Sequence, residues 1–112
     1  MEPYDLTIAQ TSARIARKEL SPVALMESVL GRIEKLEPAL KAWVTLDPEA
    51  ALQAAKESER QLEQSGPIGP LHGIPVGVKD IFYTSGVATN GHWRSLYFHR
   101  LVQQVRPGAP YR

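Results

Sequence analysis

Lys79 stands between Val78 and Asp80 near the end of the apolar run Pro75-Val76-Gly77-Val78-Lys79-Asp80-Ile81. An ammonium group brought into such surroundings loses hydration, which lowers its pKa and favours the neutral amine. A neutral amine is a base. Asp80 could orient the amine or its loop, although capping the strand and holding the turn is the plainer role. His72 sits in a glycine-rich turn and is expected to stabilise that loop or lie exposed rather than act as a base. His92 and His99 are seven residues apart, close to two turns if that stretch were helical. Two ligands with no carboxylate or cysteine beside them make no metal site.

A lysine can serve as a placed base only if the chain around it is held. Upstream, Gly66-Pro67-Ile68-Gly69-Pro70-Leu71-His72-Gly73-Ile74-Pro75 is punctuated by glycine or proline at every second or third residue, so no helix is expected there. A strand is predicted near 75 to 82, with Gly77 admitting the close approach of another backbone or a ligand. Thr84-Ser85-Gly86 marks a turn.

Three helices precede this region. Thr7 with Gln10 reads as a capping box that opens a helix to about Leu20. Ser21-Pro22 is a cap followed by proline at the first helical position, and Met26, Val29, Leu30, Ile33 and Leu36 form its apolar stripe. Glu27, Arg32, Glu34 and Lys35 fall opposite, and Pro38 is expected to end this helix at 37. Ala42-Trp43-Val44-Thr45-Leu46 reads as a short strand from its β-branched and aromatic content. Asp47-Pro48 repeats the cap-plus-proline device for a helix from 48 to 64, in which Ala51, Ala55 and Leu62 share a side. That thin apolar face suggests a surface helix.

At 112 residues the chain suffices for one small domain, and 43% apolar with 22% charged residues argues for a globular chain over a disordered one. The start carries no basic region followed by an apolar core, and no stretch approaches the ~18 apolar residues of a membrane helix. A cytoplasmic placement without membrane contact is therefore expected. The absence of cysteine removes disulfides and thiolate metal sites. Residues 1 to 86 hold 9 basic against 12 acidic side chains, whereas 87 to 112 hold Arg94, Arg100, Arg106 and Arg112 and no acid. Arginines that sparse form no dense basic patch, so direct nucleic-acid binding is not expected.

The twelve residues from Gly69 to Asp80 resemble the loop and strand that carry the catalytic lysine of the amidase-signature family. The likeness extends to the Leu6-Thr7 start, the Leu20-Ser21-Pro22 junction and Ala42-Trp43-Val44 followed by a helix, covering about residues 4 to 89. The resemblance implies an α/β fold: these would be the N-terminal helices and first strands, at one edge of a large mixed sheet, in truncated form. It also implies a Ser-cisSer-Lys triad with Lys79 as the lysine, a small amide substrate, an acyl-serine intermediate, and neither cofactor nor metal. Two relatives of that layout are a general amidase and the A subunit of a tRNA-dependent amidotransferase, the second implying ATP and a partner subunit.

From about Asn90 the segment Gly91-His92-Trp93-Arg94-Ser95-Leu96-Tyr97-Phe98-His99-Arg100 departs from the family's small-residue loop. Residues 1–89 are accordingly expected to be family domain and 90–112 a divergent basic tail, disordered or produced by a frameshift near 88 to 92. Ser85 and Ser95 are the only serines after Lys79, and neither has the glycine-rich surroundings that could build an oxyanion hole from backbone N–H groups, so the chain as written is expected to be inactive. A non-catalytic remnant or a small interaction module are the competing expectations.

Overall fold

The computed structural model describes residues 1–79 and 96–99, and for Lys79 and residues 96–99 it describes the backbone. A 3-10 turn, Pro3–Asp5, leads into helices α1 (Ile8–Ala16), α2 (Pro22–Leu40) and α3 (Pro48–Ser65), then strands β1 (Val76–Lys79) and β2 (Leu96–His99). The strands form a two-stranded antiparallel ladder in which Val76 faces His99 and Lys79 faces Leu96. The described residues are thus mostly helical, and a large mixed sheet is not among them.

Each helix opens where its cap chemistry dictates. The Thr7 hydroxyl accepts from Gln10 N–H at 3.2 Å while the Gln10 side chain accepts from Thr7 N–H at 2.9 Å, closing the capping box. Ser21 Oγ accepts from Ala24 N–H at 2.9 Å and Asp47 Oδ1 from Ala50 N–H at 3.0 Å, with Pro22 and Pro48 at the first helical positions.

Three helix and strand boundaries differ from expectation. α1 stops at Ala16 rather than near Leu20, because Lys18 adopts a left-handed conformation, φ 60°. Glu19 N–H then bonds Arg14 C=O and Lys18 N–H bonds Ile15 C=O, a Schellman closure with lysine where glycine is usual. α2 runs through Pro38 to Leu40 instead of ending at 37. Proline removes a single donor, and so near the helix end its cost is confined to the last turn, which Lys41 N–H closes on Glu37 C=O at 2.8 Å. Residues 42–46 form no strand beyond a single bridge at Thr45. There the Glu37 carboxylate accepts from Trp43 N–H at 3.0 Å, which uses a donor that a ladder would have needed.

Two apolar clusters hold the helices together. Met26, Ala51 and Ala55 are buried with Val29, Leu30, Ile33, Trp43 and Leu46 packed around them. Ile15, Leu25 and Leu62 form the second cluster, which Ile74 joins from the loop. Glu27, Arg32, Glu34 and Lys35 are not buried, as the stripe predicts. α3 turns Ala51 and Ala55 onto Met26 of α2, so its thin apolar face of small side chains is buried while its other side stays at the surface, as expected. Ile8, Leu40, Ile68 and Leu71 remain largely exposed. Among the described residues no helix is long and apolar enough to cross a membrane.

Candidate active site

Lys79 ends β1, which is held by its ladder with β2 and by the loop before it. Residues 66–75 are free of helix and are tightened by bonds from His72 N–H to Gly69 C=O and from Ile74 N–H to Leu71 C=O, at 3.2 and 3.1 Å. All three helices then reach the loop. Ser12 of α1 donates its hydroxyl proton to Pro70 C=O at 2.5 Å. Pro22, the first residue of α2, lies against Gly73, whose φ of +76° falls in the left-handed region. A Cβ added at Gly73 would stand 2.8 Å from Pro22 Cγ, so both conformation and space call for glycine. From α3, the Ser58 carbonyl oxygen lies 2.7 Å from His72 Nε2.

The imidazole of His72 is engaged on both sides, since Ile68 N–H also donates to Nδ1 at 3.3 Å. A carbonyl only accepts and a peptide N–H only donates, so these partners require the neutral ring with its proton on Nε2. His72 is therefore the loop stabiliser that its position suggested. Ile74 completes the anchoring by packing on Ile15, Leu25 and Leu62. With Pro75 it also lines an apolar cleft of 140 Å³ beside Leu25, Val29 and the N-terminal turn.

Ser12, Pro22 and Ser58 were not singled out as loop contacts by sequence reasoning. Ser12 and Ser58 are mid-helix serines with no local signature, and Ser12 lies 58 residues from its partner. The expected desolvation of Lys79 concerns a side chain outside the described residues, as do Asp80, Ser85, His92 and Ser95. Of the expected tail, Leu96–His99 is described, as the strand paired with β1. Among the described residues no group of three or more His, Asp or Glu side chains could hold a metal ion.

The helices, the Gly/Pro loop and the lysine strand together lie largely within a single family match. The amidase family model matches residues 24–99, and the chain belongs to the amidase-signature family. Over 89 residues it is 46% identical to the A subunit of glutamyl-tRNA(Gln) amidotransferase from Geobacter metallireducens and 48% identical to that from Desulfosudis oleivorans, each alignment covering 80% of this chain and 18% of the relative. The corresponding protein of Chloroflexus aurantiacus is 38% identical over 95 residues, 85% of this chain and 20% of the relative. The chain thus spans about a fifth of the length of these curated relatives. No solved structure matches it.

Proposed function

We propose that this chain is the N-terminal portion of an amide-hydrolysing enzyme in which Lys79 is the base of a Ser-cisSer-Lys triad. The observation that carries the reading is the stretch Gly69 to Asp80, which lies inside the family match and ends on a strand bearing Lys79. In the whole protein the neutral amine would take a proton from a bridging serine as that serine takes the proton of the nucleophilic one. The nucleophile's Oγ then bonds to the amide carbonyl carbon, the C–N bond breaks, and the nitrogen leaves with a proton. Water or another acceptor releases the acyl group. Both serines would come from outside these 112 residues, so this segment alone supplies the base and no nucleophile, and turnover requires the remainder. In this reading the first strands belong to a larger mixed α/β sheet, and the protein works in the cytoplasm.

The relatives' names favour a second, narrower reading, the glutaminase component of a tRNA-dependent amidotransferase. That component would hand ammonia from glutamine to an assembly containing partner subunits. Glutamine and simple amides, assayed with the whole protein alone and then with ATP and partner subunits, separate the two. Glutaminase activity that appears only with ATP and partners supports the amidotransferase. Hydrolysis of simple amides by the protein acting alone supports a general amidase.

A further inference from the structure

We propose that His72 is a positioning residue, which holds the loop at 68–74 against α3 and thereby sets where β1 presents Lys79. The proposal rests on the reading of Lys79 as the base. Its evidence is independent of that reading. His72 is the loop side chain that binds both the loop itself, through Ile68 N–H, and a helix, through the Ser58 carbonyl. A helix carbonyl has a second lone pair, so Ser58 can receive the imidazole proton without giving up its place in α3. Because both ring nitrogens are committed, none remains to carry a proton to or from a substrate.

The route from His72 to β1 is short and stiff. Gly73 is wedged on Pro22, Ile74 is packed into the Ile15-Leu25-Leu62 cluster, and Pro75 has a fixed φ. Ser12 holds the loop at Pro70 on the side facing α1. Removing the imidazole leaves the α1 and α2 contacts and the packing of Ile74 on Leu62 in place and removes the loop's hydrogen bond to α3. The loop should then tilt rather than unfold, and β1 should tilt with it. A displacement of about 1 Å at a reacting group costs roughly 100-fold in rate.

The test has two parts, with one on the whole protein and one on this chain. In the whole protein, His72→Ala should lower kcat about 10- to 100-fold while KM changes little. His72→Gln should recover most of the loss, because its amide can donate to Ser58 C=O and accept from Ile68 N–H. An unchanged kcat in His72→Ala overturns the proposal. So does a loss that glutamine does not relieve in a folded variant, which would point to proton transfer by the ring. Lys79→Ala in the same assay keeps the two readings apart: retained activity there removes the base and leaves the clamp to be judged on geometry. Nitrogen NMR of the 112-residue chain makes that judgement. His72 should show a protonated Nε2 and a bare Nδ1, and the opposite tautomer or averaging between the two would overturn the clamp.

Discussion

The three helices and the loop at 66–75 are built on opposite principles. Each helix start is written within four residues of itself, as Thr7 with Gln10, Ser21 with Ala24 and Asp47 with Ala50 show. The loop has its own turn bonds, yet its placement comes from residues far away in the chain: Ser12, Pro22 and Ser58, one from each helix. Local chemistry thus makes a scaffold, and the scaffold's contacts then decide where the lysine strand begins. A helix start should tolerate distant changes, whereas the loop should not.

The largest effect is expected where the loop meets α2. Gly73→Ala introduces both a disfavoured backbone conformation and a contact of 2.8 Å with Pro22 Cγ, and should cost about 3 kcal/mol in urea unfolding of this chain. A near-neutral result would mean that Pro22 and Gly73 do not press on one another. Removing a helix cap is milder. Ser21→Ala should cost about 1 kcal/mol and leave hydrogen exchange in the loop unchanged, apart from the shift in global stability.

Ser12→Ala sharpens the contrast at a similar or slightly smaller cost, about 1 kcal/mol, through loss of its bond to Pro70 C=O. Here the effect should be regional, with faster exchange of the His72 and Ile74 amide protons that close the loop's turns. Equal loop exchange in Ser12→Ala and Ser21→Ala would erase the distinction between the two regions. At the small end, Gly31→Ala should stabilise α2 by about 0.5–1 kcal/mol, because the added methyl meets nothing within 4 Å beyond its chain neighbours and the helix's own backbone, and alanine is the better helix former.

The same division explains what the sequence made legible. Caps, the prolines that follow them and the α2 stripe act over one or two turns, so their residues announce the helices directly. The loop role of His72 was also legible, from the glycine and proline around it. The end of α1 was not, since Lys18 carries no mark of a left-handed residue. Pro38 misled in the other direction, because a missing donor costs little in the last turn. Residues 42–46 have strand composition without a ladder, and Glu37 holds Trp43 close to the end of α2 instead. Most distant from any local pattern were Ser12 and Ser58, whose importance lies in partners brought together by folding.

In the proposed reading, the purpose of this scaffold is to present Lys79 as the base. The most direct test is amide hydrolysis by the whole protein with Lys79 and with Lys79→Ala, each checked for folding. The account predicts a loss of about 10²- to 10⁴-fold in kcat, the range expected when a positioned base is removed. Hydrolysis at an unchanged rate in a folded Lys79→Ala protein would contradict it.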